Sequence, residues 1–176
     1  MKIMDINDLV LEAWNIYEEA KKLLEKEDIR DAAEKAWLAV ETMRKAILVA
    51  AKIPYEETKK VSIALPVFNN ILIALGEKEL LDKYYTFQST LHSSAFYEDL
   101  LNGEVAIIYI TEVEKWLYEA ERVIDKASRI DATKFLELAK RRLRIKSEIL
   151  SKSKELHALR IQEKTIIESI RSRISG

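Results

Sequence analysis

The chain has 176 residues, 48% of them hydrophobic and 34% charged, and its formal net charge is −1. It contains no cysteine, which excludes disulfide bonds, thiol catalysis and cysteine-ligated zinc. No apolar run approaches the roughly 18 residues that cross a bilayer, and the N-terminal residues lack the apolar part of a secretion signal. We therefore expect no membrane contact and a cytoplasmic location.

Few residues in this chain favour turns, since it has three glycines and two prolines. A β-sandwich or barrel needs many turns, so long helices with short connections are the favoured architecture. Gln88 and Gln162 are the only glutamines, whereas Glu, Lys and Ile are abundant. This balance is typical of heat-tolerant proteins, and we expect a thermophilic source.

Apolar residues recur at three- and four-residue steps in five segments, which predicts helices over residues 5–27, 28–51, 61–75, 77–101 and 104–128. The predicted buried stripes include Ile16 in the first helix, Tyr84 in the fourth and Val105 in the fifth. Asp28 is expected to cap the second helix, and Pro54 prevents its continuation. Pro66 fits best in the first turn of the third helix, and Gly76 fits the position after its end. The predicted fold class is all-α: an up-and-down bundle of about five helices over residues 1–130, with a long C-terminal helix.

The remaining residues, 131–176, form a basic amphipathic segment without an internal break. Residues 1–132 carry 17 basic against 25 acidic side chains, whereas residues 133–176 carry 12 against 5. Neither glycine nor proline occurs from position 132 until Gly176, which allows one helix of about 40 residues, near 60 Å long. Its apolar residues partly follow a heptad, which is interrupted by Arg142, Lys152 and Glu163. The apolar residues of the heptad are Leu138, Ile145, Leu159 and Ile166 in one register, and Ile149, Leu156 and Ile170 in a second register four residues further along the chain.

This pattern predicts an oligomerisation arm, with a homodimer favoured. Two alternatives stay open, namely packing of the helix on its own bundle and a partly disordered arm. The helix also carries the cations Lys140, Arg141, Arg142, Arg144 and Lys146, which could contact the phosphates of RNA or DNA. The other interpretation is a solvated helix face whose cations pair with nearby glutamates.

The candidate chemistry of the chain centres on His92, which lies among Ser89, Thr90, Ser93 and Ser94. A histidine at the edge of the core can act as an acid or a base, but it can equally be a structural residue bonded to a carbonyl or a carboxylate. The two histidines lie on different predicted helices, so no metal site is expected. The glycines are isolated, so no phosphate-binding loop and no cofactor are expected.

Two segments supply the other candidate residues. Glu34 and Glu98 would be the polar supports of His92 in an enzyme, and Lys35 would contact an anion. Trp37 and Tyr97 are candidate binding residues, since amphipathic aromatic side chains often anchor contact surfaces. One helical line contains Arg30, Glu34, Trp37, Glu41 and Arg44, and it reads as an ion-paired surface on which Trp37 covers a neighbour.

The same segments resemble the archaeal PaREP family of small helical proteins. The resemblance covers roughly residues 10–125, and it rests on the segments 17–20 (YEEA), 32–37 (AAEKAW) with Ala39, 91–92 (LH) and 96–98 (FYE). The family is similar to HEPN domains, helical bundles that include RNases and partners of small nucleotidyltransferases. The resemblance thus implies a HEPN-like bundle and a possible nucleotidyltransferase partner.

The RNases among the HEPN proteins share an arginine followed four to six residues later by a histidine. No arginine precedes His92 or His157 at that distance. We therefore expect a noncatalytic protein that binds a macromolecular partner or a nucleotide-type ligand and self-associates through helices. The alternatives are an enzyme acting on RNA or a nucleotide through His92, and a nucleic-acid-binding protein that uses the basic helix.

Overall fold

The computed structural model describes residues 5–97 and 103–174, with side chains as far as residue 94 and from 103 to 167. These residues form helices and no strand, which confirms the predicted all-α class. The elements are α1 (Ile6–Glu25), α2 (Ile29–Ala50), α3 (Tyr55–Thr58), α4 (Val61–Ala74), α5 (Lys78–Phe87), a π-helical segment (Gln88–Tyr97), α6 (Gly103–Ser128) and α7 (Thr133–Ile174).

The chain divides into two compact units, Met1–Glu137 and Leu138–Gly176. The first unit contains α1 to α6, the π-helical segment and the first residues of α7. The second unit contains the rest of α7. Among the helices that the structure describes, none is both long and apolar enough to span a bilayer.

Two helix ends follow local signals in the sequence, whereas the position of Pro66 does not. The carboxylate of Asp28 accepts a hydrogen bond from the backbone N–H of Asp31 at 3.3 Å, so it caps α2 as predicted. Gly76 follows α4 with a φ of 75°, a conformation that glycine adopts without strain. The predicted place of Pro66 is wrong, since it lies inside α4 and not in its first turn. Burial of one apolar face of the helix offsets the lost backbone hydrogen bond; the buried residues are Ile63, Ala64, Val67, Phe68, Ile71 and Leu72.

Helix α2 lies at the centre of the first unit and packs against α1, α6 and the π-helical segment. A helix buried on most sides needs apolar residues around most of its circumference, and small residues let its neighbours approach closely. The sequence of α2 meets both needs. Its buried residues are Ala32, Ala33, Ala36, Trp37, Ala39, Val40, Thr42, Met43, Arg44, Ala46, Ile47, Leu48 and Ala50.

The buried faces of α1 and α6 are rotated slightly from the predicted stripes. Tyr17 is buried and its hydroxyl donates to the carbonyl of Ile110 at 3.1 Å, whereas the predicted stripe used Ile16. In α6, Ala106 is buried and the predicted Val105 is exposed. A broad apolar face can turn by one residue and keep its period, so periodicity alone leaves this rotation open.

Candidate functional site

The candidate site lies where the π-helical segment packs against α2. His92 Nδ1 lies 3.0 Å from Oε2 of Glu34, and each side chain is 32% exposed. A carboxylate only accepts hydrogen bonds, so this contact places a proton on Nδ1. The structure thus joins two candidate residues that are 58 positions apart in the sequence.

The ring of His92 also contacts an aromatic cluster in the core. Trp37 stacks on His92 with ring centroids 5.6 Å apart and an interplanar angle of 29°. Trp37 also contacts the ring of Tyr84, at a centroid distance of 5.3 Å. Since Trp37 is only 6% exposed, the expectation that it lies on an ion-paired surface is wrong. It supports His92 from the core side.

The π-helical segment corrects the prediction of one α-helix over residues 77–101. The α-helical part ends at Phe87, and residues 88–97 follow the wider π pattern. Hydroxyl groups bond to the backbone at this transition: Ser89 Oγ and Thr90 Oγ1 donate to the carbonyl of Thr86 at 3.0 and 2.7 Å, and Ser93 Oγ donates to that of Gln88 at 3.3 Å. Such side-chain bonds compete with the α-helical ladder, and π-helical turns are frequent at functional sites.

Next to the aromatic cluster, Glu41 and Arg44 of α2 form a charged network with Tyr84 of α5. Arg44 donates from Nε and Nη2 to the two carboxylate oxygens of Glu41, at 2.8 and 2.9 Å, and Tyr84 donates from its hydroxyl to Oε1 at 2.5 Å. Arg44 is 1% exposed. The sequence predicts Glu41 and Arg44 on the same ion-paired helical line as Trp37, but Trp37 and Arg44 are buried. The ion pair was therefore expected and its burial was not; the sign of burial is that the pair lies within an apolar run.

This pairing determines the charge states in the network. Burial raises the pKa of the Glu41 carboxyl, but hydrogen bonds and charge from Arg44 outweigh it, and the net pKa is lowered. Burial likewise lowers the pKa of Arg44, and Glu41 reverses the shift. Burial, reinforced by the charge of Glu41, raises the pKa of Tyr84. The network therefore holds a carboxylate, a guanidinium and a neutral phenol at neutral pH.

Lys35 lies apart from the pair formed by His92 and Glu34. Its Nζ contacts Oε2 of Glu19 on α1 at 2.5 Å, which lowers the pKa of that carboxyl. The side chains of successive helix residues point about 100° apart, so the adjacent residues Glu34 and Lys35 contact different partners. Two other candidates, the side chain of Tyr97 and the whole of Glu98, lie outside the residues that the structure describes.

The basic candidates of the second unit are all exposed on α7, namely Lys140, Arg141, Arg142 and Arg144. Lys140 and Arg144 are four residues apart and share one face of the helix, and Arg141 lies next to them. The exposure of these cations fits both interpretations of the basic helix, a solvated charged surface and a contact with nucleic acid.

A cleft of about 550 Å³ lies on the first unit, away from His92. Its lining mixes both signs of charge, and Lys126 pairs there with Glu77. The lining residues are Glu77, Glu79, Leu80, Glu119, Arg122, Val123, Asp125 and Lys126. Within the described part of the chain, no three side chains of His, Asp or Glu are grouped to hold a metal ion. The pair at the π-helical segment therefore stays the stronger candidate for chemistry.

Comparison with known proteins gives a family. No curated protein and no solved structure matches this chain. The model of the archaeal PaREP1/PaREP8 family matches residues 8–105, more than half of the chain, including most of α1, all of α2 and the π-helical segment. The chain therefore belongs to the archaeal PaREP1/PaREP8 family.

Proposed function

We propose that this protein is a noncatalytic, HEPN-like binding protein that pairs with a second copy through α7 and binds a macromolecular partner. The observation that carries the proposal is the apolar surface of the second unit, where large aliphatic side chains are exposed along the helix. They are Leu138, Leu143, Ile145, Ile149, Leu150, Leu156, Leu159, Ile161, Ile166 and Ile167. A cytoplasmic protein with so many exposed apolar side chains on one element is expected to cover part of them by association.

The contacts of His92 support a noncatalytic role. A serine nucleophile would need its hydroxyl within hydrogen-bond distance of the histidine that activates it. Instead, Ser89, Thr90 and Ser93 direct their hydroxyls to backbone carbonyls of their own helix. His92 itself is bonded to Glu34 and stacked on Trp37, which suits a structural residue at the edge of the core.

The class of the macromolecular partner is proposed from the resemblance to HEPN domains. Through the resemblance to HEPN domains, we propose a small nucleotidyltransferase as the macromolecular partner, or else a nucleotide-type ligand near His92. In this account the pair formed by Glu34 and His92 fixes the π-helical segment on α2. The segment can then present a defined surface.

The rival hypothesis is an enzyme that acts on RNA or a nucleotide through His92. We expect the purified chain and the His92→Ala variant to be indistinguishable from a protein-free blank when incubated with single-stranded RNA and with nucleoside triphosphates. Circular dichroism of the variant controls for folding. Turnover by the unmodified chain that disappears in a folded His92→Ala variant would establish the enzyme.

Nucleic-acid binding is a second candidate, favoured by the exposed cations of α7. If it is correct, single-stranded RNA binds with an affinity that falls steeply with salt. A triple variant, Lys140→Gln, Arg141→Gln, Arg144→Gln, should then make the plot of log affinity against log salt less steep. Its slope should become less negative by about 2, at roughly 0.7 per lost phosphate contact. The matched control neutralises three other cations of the helix, Lys154, Arg160 and Lys164, and should retain most of the slope. Equal effects of the two variants, or no binding by the unmodified chain, would exclude this role.

A further inference from the structure

The second unit carries an apolar seam with charged interruptions at fixed places. One set of seam positions is Leu138, Ile145, Lys152, Leu159 and Ile166, and the other is Arg142, Ile149, Leu156 and Glu163. The six aliphatic members of the seam are between 45% and 63% exposed. Within the helix these positions form one stripe, because a seven-residue repeat returns to nearly the same face. The charged residues in the stripe therefore meet whatever packs against it.

A parallel, in-register pair of α7 helices would place each seam residue opposite its own copy. Lys152 would then face Lys152, Glu163 would face Glu163 and Arg142 would face Arg142. Like charges opposed in a seam destabilise a complex. The sequence thus argues against parallel pairing.

An antiparallel pair behaves differently when its two-fold axis passes between His157 and Ala158. Seam residues equally distant from this axis then face one another across the interface. Lys152 faces Glu163 of the second copy, and the symmetry repeats the contact. The remaining layers between residues 149 and 166 are entirely apolar, since Leu156 faces Leu159 and Ile149 faces Ile166. Two of the three interruptions of the heptad, Lys152 and Glu163, thus become two salt bridges. The third, Arg142, does not distinguish the two arrangements, because position 173 opposite it is also an arginine.

The residues beside the seam agree with this alignment. In an antiparallel pair, flanking positions of the same kind meet across the interface. Glu155 would lie beside Gln162, Ser153 beside Arg160, and Lys146 beside Ile167, so none of these contacts opposes like charges. The paired region from residue 149 to 166 is about 26 Å long.

We infer that α7 pairs with α7 of a second copy in an antiparallel coiled coil centred between His157 and Ala158, with Lys152 of each copy bonded to Glu163 of the other. The inference rests on the self-association proposed above and specifies its geometry. The second copy is the occupant because its own Glu163 and Lys152 supply the complementary charges at the matching positions.

Exchanging the charges tests the alignment in the full chain. Lys152→Glu and Glu163→Lys should each raise the dissociation constant of the dimer about tenfold or more, because each creates like-charge contacts in two layers. The double variant should return to within about threefold of the unmodified chain. Lys154→Glu is the matched control, since it makes the same charge change away from the seam. Single variants without effect, or a double variant that is no better than the singles, would overturn the inference.

Cysteine cross-linking separates a failed alignment from a failed dimer. The chain has no cysteine, so Ile149→Cys and Ile166→Cys each introduce a unique thiol. Antiparallel pairing predicts that neither variant oxidises with itself, whereas an exchanged mixture of the two gives a cross-linked heterodimer. A dimer in which each variant cross-links to itself would overturn only the alignment. A monomeric chain would overturn both the alignment and the proposed self-association.

Discussion

Replacing Arg44 by methionine is expected to lower the free energy of unfolding by about 3–5 kcal/mol. The guanidinium makes two hydrogen bonds to Glu41, and its side chain is 2% exposed. Methionine fills much of the same volume but leaves a mostly buried carboxylate without its cation. Total stabilities of about 5–15 kcal/mol are usual, so the loss is a large part of the whole. Urea unfolding followed by circular dichroism measures it.

Arg129 supplies the matched control for this substitution. It directly follows α6 and also pairs with an acid, Asp125 in the last turn of that helix, but its side chain is 74% exposed. Arg129→Met should therefore cost no more than about 1 kcal/mol. Adding Glu41→Leu to Arg44→Met should recover part of the loss, since no buried charge is then left unpaired. A loss of under about 1 kcal/mol for Arg44→Met alone would contradict the role given to this network.

The second large effect is expected at the centre of the proposed coiled coil. Replacing Leu156 and Leu159 together by aspartate should convert the dimer into a monomer at micromolar concentration. Both side chains are 51% exposed in the single chain, and the substitution places four carboxylates in adjacent layers of the seam. Light scattering coupled to size exclusion measures the mass directly.

A matched control for this variant lies on the same helix. Leu150 and Ile161 are 57% and 54% exposed, and they point away from the seam. Replacing both by aspartate adds the same charge and a similar cost in helix propensity, slightly smaller because isoleucine favours the helix less than leucine. This control should remain a dimer. Loss of the dimer in both variants would show that general helix destabilisation, and not the seam, accounts for the effect.

Much of the fold could be predicted because its signals are local. The cap at Asp28 and the turn at Gly76 depend on a few neighbouring residues, and the structure confirms both. Pro66 was misplaced because its helix tolerates a missing hydrogen bond in exchange for apolar burial. The change from α- to π-helix at Phe87 was missed, since the same apolar period fits both until side-chain hydroxyls compete for the backbone.

The candidate site was predicted less completely because its contacts are distant in the sequence. The sequence indicates both His92 and Glu34 as candidates, but only the fold brings them within 3.0 Å. The spacing of Tyr84 predicts a place in the core but gives no sign of its hydrogen bond to Glu41 on α2. Whether Glu41 and Arg44 are exposed or buried depends on which side of α2 faces the core. Periodicity does not fix that rotation when a helix is apolar on most sides.

The central claim is that the protein pairs through α7, and the mass of the unmodified full chain in solution tests it most directly. Light scattering over a range of protein concentrations, at physiological salt, gives that mass. The account predicts a mass of twice the 20.4 kDa of one chain, about 41 kDa, which falls toward one chain on dilution. A mass of 20.4 kDa at every concentration, up to several hundred micromolar, would contradict it.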